Sequence, residues 1–333
     1  MKRQKRLTHI FIAPLVALSL ALLGGCGQVK NASPQATRAG IILGFSQIGA
    51  ESAWRNCHSR SVRQAAADSG VQLLFENAEQ KQENQIKAIR SFIVYRVDVI
   101  AFVPIVADGW DNVLNEAKNA GIPVLVVDRE IHTQDPSLYD GFIGTDSEKE
   151  GRAAGEFLLK KFANREKGKP VRIIELSGTE GSSVAIGRAQ GFRAALSGHP
   201  EFQIIHSESG DFLRSKGYEI MHAALKRYPG ADAVFSHNDG MTLGMLDAMR
   251  ELGIKPGKDV AIVTIDAEQA AIDALRRGEV NCVIECNPKT GPTIMKYAQR
   301  LAEGKPIPRL LYVPETVFTE WTHDLDKIPP RGY

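Results

Sequence analysis

The sequence predicts an α/β fold built from two parallel-sheet units, and three observations lead there. From Ala39 onward, short β-branched runs alternate with amphipathic helical stretches. Alternation of this kind implies parallel sheets with helices on both faces. The runs number about ten, too many for one compact sheet, and 333 residues are too many for one small core.

The first unit begins with the strand "AGIILGFS", a helix from Trp54 to Ser69 and the strand "VQLLFEN". A helix over Gln82 to Tyr95 follows, with Ile86, Ile89, Phe92 and Ile93 as its apolar stripe. Next come "VDVIAFVP", a helix over Asp111 to Ala120, and "PVLVVD". After Asp146 the pattern restarts with a helix to Phe162, "VRIIEL", a helix over Val184 to Leu196, and "FQIIHS". A helix over Ser215 to Tyr228, "ADAVFS", a helix over Asp239 to Leu252, and "DVAIVTID" continue it. A helix near Glu268 to Arg277 and "VNCVIE" close the series, before a last helix over Thr290 to Glu303 and a short extended tail.

Ligands of open α/β sheets bind beyond the carboxyl ends of the strands. The strand Val124–Asp128 is apolar until it meets Asp128 and Arg129. Charges at the end of a buried run need partners. Either they form an ordinary strand-end ion pair, or they await a polar ligand. Other strand ends and the loops near them bring Asn238, Asp266 and Glu285, with Trp54, Arg55, Arg188 and Phe212. Facing units would gather these around one cleft. Planar carboxylate, guanidinium and amide groups bind neighbouring hydroxyls in pairs, and aromatic faces cover C–H faces, so the set suits a sugar. Trp54 is equally compatible with a core position. Asp239 is expected to cap its helix, leaving Asn238 for the cleft.

The N-terminus carries Lys2, Arg3, Lys5 and Arg6, then an uncharged stretch from His9 to Gly25. Its apolar centre has signal-peptide length and is short for a membrane span. It ends in Leu23-Gly24-Gly25-Cys26, which resembles a bacterial lipobox. That resemblance implies cleavage before Cys26 and lipidation of its sulfur; a plain secretory signal is the alternative. Residues 26–38 are polar and breaker-rich, as in a tether. Cys57, Cys282 and Cys286 then remain, an odd count that cannot pair fully within the chain. On one strand Cys282 and Cys286 lie too far apart to bridge.

Net charge is +2, and four of the positive charges stand in the first six residues, so the body is slightly acidic. That argues against nucleic acid as a partner. "GTEGSS" at 178–183 lacks the lysine of a phosphate-binding loop, GxGxxG is absent, and His237 has no nucleophile pattern beside it. Without metal-ligand spacings, no metal, cofactor or catalytic residue is expected.

"FSQIGAESAWR", "QKQENQIKAIRSF", "GTEGSSVAIGRAQGF", "SGDFLRSKG" and "HNDGMTLG" together identify a resemblance covering nearly the whole chain after Ala39. The chain resembles the periplasmic sugar-binding proteins of ABC importers, of the ribose/galactose-binding type, and within them the galactofuranose-binding branch. The resemblance implies the type I periplasmic binding protein fold, two Rossmann-like lobes joined by three hinge crossings near Gly144–Asp146, Glu285–Asn287 and Thr316–Glu320. The N-terminal lobe would then be 39–145 plus 286–315, and the C-terminal lobe 146–285 plus 316–333. The family's aromatic–basic pair falls on Trp54 and Arg55, preceded by Glu51, and its Asp-Arg on Asp128 and Arg129. Arg188, Phe212, Asn238 and Asp266 match its second-lobe positions, and Glu285 its hinge position. Arg55, where ribose binders carry an aromatic residue, favours the galactofuranose branch. Ala267, where many relatives have glycine, and Cys286 beside Glu285 depart from the pattern and leave the ligand's identity open.

The expected function is a monomeric, non-enzymatic binding lipoprotein on the extracytoplasmic face of the cell membrane. It captures a monosaccharide between its lobes and presents it to an ABC permease. A sensor delivering the sugar to a chemoreceptor or receptor kinase is the alternative.

Overall fold

The computed structural model describes residues 40–333. The expected signal peptide (1–25), the expected lipidation site Cys26 and the whole tether (26–38) lie outside the described residues.

The first sheet is made by β1 (Ile42–Gln47), β2 (Gln72–Asn77), β3 (Val99–Phe102), β4 (Val124–Asp128) and β5 (Gly141–Gly144), with β11 (Leu310–Tyr312) on its edge. Its order is β11-β5-β4-β3-β1-β2 and every pairing is parallel. The second is made by β6 (Val171–Ser177), β7 (Phe202–Ser209), β8 (Ala233–Ser236), β9 (Ala261–Asp266), β10 (Cys282–Glu285) and β12 (Val317–Thr319). Its order, β12-β10-β9-β8-β6-β7, repeats that of the first, with β12 antiparallel to β10. The connecting helices are α1 (Ala53–Asp68), α2 (Gln82–Tyr95), α3 (Asp111–Asn119), α4 (Ser147–Lys161), α5 (Ser183–Leu196), α6 (Arg214–Arg227), α7 (Asp239–Glu251), α8 (Gln269–Arg276) and α9 (Gly291–Ala302). The fold is two α/β lobes of the expected class. The chain passes between the sheets after β5, after β10 and between β11 and β12.

The pattern of β-branched runs reads through because both faces of each sheet are covered. β3, β4, β8 and β9 are buried along their whole length. Strands β5, β11 and β12 were not expected as such, and the reason is local. "GFIG" is short and glycine-bounded, and the edge strands have three residues each; only sheet neighbours make these segments strands.

Helix starts follow their caps. Ser52, Asp146 and Ser182 each accept a hydrogen bond from a first-turn amide of α1, α4 and α5. At α7 the expectation is corrected. Asn238 is the cap, its Oδ1 accepting from the Met241 amide at 3.0 Å. Asp239 is the first helical residue, and its carboxylate instead accepts from Thr264 Oγ1 at 2.6 Å and the Glu268 amide at 2.7 Å.

Helices α4 and α5 cross so closely that glycine is required at the contact. A Cβ on Gly191 would lie 1.9 Å from the Glu148 carbonyl oxygen, and one on Gly151 would lie 2.0 Å from that of Arg188. Gly191→Ala therefore forces the helices apart. We expect a loss of about 1–3 kcal/mol in chemical denaturation, and an undiminished midpoint would contradict the close crossing.

Candidate functional site

The two sheets present their carboxyl ends to each other, and the order reversals at β1/β3 and β6/β8 put both switch points there. The lobes touch directly. The Ala107 amide donates to Gly181 O at 2.8 Å, the Glu130 amide to Ser183 Oγ at 2.7 Å, and the Trp54 amide to Glu268 Oε1 at 3.1 Å. Between them lies a small cavity of about 30 Å³. Nine of the ten residues named from the sequence line it: Glu51, Trp54, Arg55, Asp128, Arg129, Arg188, Phe212, Asn238 and Asp266.

The β1–α1 turn and the end of β4 supply one wall. Arg55 donates through Nη1 to Asp128 Oδ2 at 2.8 Å and through Nε to Glu51 Oε1 at 3.0 Å, all three side chains being buried. Asp128 and Arg129 are therefore not paired with each other; the aspartate's partner comes from 73 residues earlier in the chain. Burial pushes the Asp128 carboxyl up, but the Arg55 guanidinium outweighs it and holds the group below its ordinary value. Arg129 donates from Nη1 to Ile105 O at 2.9 Å, and its Nε finds no partner. Burial, with Arg55 nearby, lowers its pKa to about 10. Glu51 Oε2 is likewise buried and unpartnered. Trp54 is both core and lining. It is 5% exposed, its Nε1 donates to Cys286 O at 2.6 Å, and its ring stacks on His58.

The other wall comes from α5, the β7–α6 turn, the α7 cap and the end of β9. Arg188 donates from Nε to Glu150 Oε2 at 2.7 Å and from Nη1 to His237 O at 2.6 Å, and its Nη2 lies 4.0 Å from Asp266 Oδ1. Burial alone would lower its pKa, but Glu150 raises it above the ordinary value. Burial pushes the Asp266 carboxyl well up, with Arg188 offsetting only part. The Phe212 ring lies 5.2 Å from the Arg129 guanidinium and 6.0 Å from that of Arg188. A Cβ on Gly178 would meet that ring at 1.9 Å, so the glycine leaves room for it. Asn238 Nδ2 donates to Phe212 O at 3.2 Å while Oδ1 caps α7, which fixes both residues at once.

Asp128, Phe212 and Asp266 have φ of 65°, 61° and 129°. Such conformations cost about 1–3 kcal/mol each in non-glycine residues and cluster at binding sites. Here they turn three strand-end or loop side chains into one cavity.

Glu285 is the named residue that the structure does not bring to the lining. Successive side chains of an extended chain leave on opposite sides. Cys286 takes the cavity side, so Glu285 turns away and pairs with Arg331. Ser52 and Val184 also join the lining without having been singled out. Ser52 was legible as a helix cap; nothing in the sequence distinguishes Val184. Cys57, Cys282 and Cys286 are all unpaired thiols.

The family described as periplasmic binding protein domain matches residues 43–306. The chain belongs to the periplasmic binding protein family. This periplasmic binding protein is 40% identical over 311 residues to the galactofuranose-binding protein YtfQ of Escherichia coli (strain K12), covering 90% of this chain and 95% of that one. It is similar to a Mycobacterium smegmatis protein solved with β-D-fucofuranose, with TM-score 0.82 and 46% identity over 84% of this chain and 92% of that one. It also resembles the periplasmic binding protein component of the arabinose ABC transporter from Shewanella sp. ANA-3, solved with α- and β-L-arabinofuranose. There the TM-score is 0.80 and the identity 41%, over 84% and 92% of the two chains. The relatives are binding proteins rather than enzymes. No helix among the described residues is long and apolar enough to cross a membrane.

Proposed function

We propose that this protein captures a galactofuranose-like monosaccharide in the cavity between its lobes and delivers it to an ABC importer. The observation that carries this reading is the set of side chains that line the cavity. Arg55, Arg129 and Arg188 are matched by Glu51, Asp128 and Asp266. A wall with equal numbers of guanidinium and carboxyl groups offers donors beside acceptors, which suits a ligand rich in hydroxyls. The unpartnered Glu51 Oε2 and Arg129 Nε are an acceptor and a donor for such hydroxyls, and Trp54 and Phe212 supply apolar faces. The bound furanoses of the relatives support a five-membered ring. Glu51, Arg55, Asp128 and Arg129 hold the sugar from one lobe, and Arg188, Asn238 and Asp266 from the other. Because both lobes contribute, the sugar favours the closed arrangement.

A thermal-shift panel of monosaccharides that populate furanose and pyranose rings tests this. At about a hundred times Kd, a sugar adds about 2.7 kcal/mol, which raises Tm by roughly 4 °C. No shift with any member would end the proposal.

Delivery from a tethered position follows if Cys26 is lipidated. Cys26→Ser is then expected to move the protein from the membrane to the soluble extracytoplasmic fraction. Unchanged membrane retention would exclude the anchor.

A further inference from the structure

Asp266 and Ala267 are successive non-glycine residues at φ of 129° and 66°. Two strained residues in a row relax unless their surroundings over-determine them, and relaxation here would turn the Asp266 carboxylate off the cavity. The Cys286 amide donates to Asp266 O at 3.2 Å and Asp239 holds the Glu268 amide, and the segment from Arg331 to Tyr333 adds a further restraint on both strained residues. The Tyr333 hydroxyl donates to Asp266 O at 2.9 Å, and Arg331 Nε donates to Ala267 O at 3.2 Å. Those are the carbonyls of the two strained residues. The strap is itself held at both ends. The Gln269 amide donates to Tyr333 O at 2.7 Å, and the Arg331 amide to Gln269 Oε1 at 2.9 Å. Arg331 Nη2 pairs with Glu285, so the glutamate that turns away from the cavity anchors the arginine that braces its wall.

We infer that Arg331 and Tyr333 are positioning residues for ligand binding: they lock the Asp266–Ala267 backbone so that the Asp266 carboxylate faces the cavity. The inference rests on the sugar-binding reading above. Neither side chain lines the cavity, so each acts through Asp266.

The test compares wild type with Tyr333→Phe and Arg331→Ala, using D-galactose and L-arabinose, whose solutions contain furanose forms. Tyr333→Phe deletes a single hydroxyl and leaves no buried charge unpaired, whereas Arg331→Ala strands Glu285. In the sugar-free protein, amide exchange is expected to quicken at Ala267–Gln269 and not in β6. Kd is expected to rise about three- to tenfold for Tyr333→Phe and at least as much for Arg331→Ala. In an Ala267→Gly background, where positive φ carries no strain, the cost of Tyr333→Phe should shrink below twofold. Unchanged exchange overturns the inference. So does faster exchange with unchanged Kd, which would make the strap a structural brace and nothing more. A wild type that binds neither sugar counts against the proposed function and takes the strap's role in sugar binding with it, a failure distinct from a wild type that binds while its variants bind equally well.

Discussion

Arg129→Ala is expected to weaken sugar binding about ten- to hundredfold while leaving the sugar-free protein as stable as wild type, or more so. Both halves follow from the same burial. Arg129 is 3% exposed, its Nε is unpartnered, and its pKa is pulled down to about 10, first by loss of water and then by Arg55. Its surroundings thus hold a cation with less than its ordinary preference for charge. A hydroxyl accepting from Nε completes the group, and hydrogen bonds to charged groups contribute about 1.5–3 kcal/mol, which is about ten- to hundredfold in Kd. Removing the side chain forfeits that gain but also removes the desolvated charge. Against this stands the lost bond to Ile105 O, worth about 1 kcal/mol. Calorimetry gives the affinity and thermal unfolding the stability. A Kd within threefold of wild type would remove Arg129 from the site, and a large drop in Tm without sugar would make it a structural residue. Arg129→Lys keeps the charge but not the planar fork, so it should recover only part of the affinity.

Strong elements were legible because their signal is periodic. Gln82–Tyr95 was bounded correctly because its apolar stripe stops where Arg96 enters the left-handed region at φ 53°. The residue types of the cavity were legible too, since polar side chains at the ends of buried runs have few other uses. What stayed hidden depends on contacts far apart in the chain or on backbone sign. The Arg55–Asp128 bond joins the first turn of α1 to the end of β4, which only the sheet order brings together. Asp266 and Glu285 sit in register on neighbouring strands, yet a positive φ turns the first toward the cavity while the second pairs with Arg331. No property of an aspartate announces φ of 129°. The choice of Asn238 over Asp239 as cap was a one-residue ambiguity between two good capping types, resolved by Thr264 and the Glu268 amide claiming the aspartate.

One cluster, with Glu150 and Cys286 buried and Glu315 partly so, lay wholly beyond sequence spacing and leads to a pH dependence. Glu150, Cys286 and Glu315 place their ligating atoms within 4.8 Å of one another, with Glu315 on the stretch that crosses between β11 and β12. Glu150 already serves Arg188 through Oε2, while its Oε1 and Glu315 Oε1 have no conventional donor. A proton shared between the two carboxyl groups satisfies both atoms. Burial, and next the Glu150 carboxylate, push the Glu315 pKa from 4.5 up to about 10. Between those values the folded protein holds a proton that the unfolded chain has released, so raising the pH favours unfolding. The contribution is complete below about pH 4.5 and is lost as pH rises toward 10, at a slope of at most about 1.4 kcal/mol per pH unit. His58, lowered to about 3 by burial and Arg55, acts with the opposite sign, but only below its unfolded value of 6.5. Burial lowers His237 as well. Above pH 7 the histidine contributions are over; the raised carboxyl groups of Asp239, Asp266 and Glu268 have the sign of Glu315, as do the buried thiols of Cys57, Cys282 and Cys286, which burial pushes up. The discriminating measurement is therefore a difference. From pH 7 to pH 9, wild type should lose stability faster than Glu315→Gln, which can donate to Glu150 at every pH. The gap should approach about 2.7 kcal/mol over those two units. Parallel curves for the two proteins would mean that Glu315 is ionised in the folded state and that the two carboxyl groups share no proton.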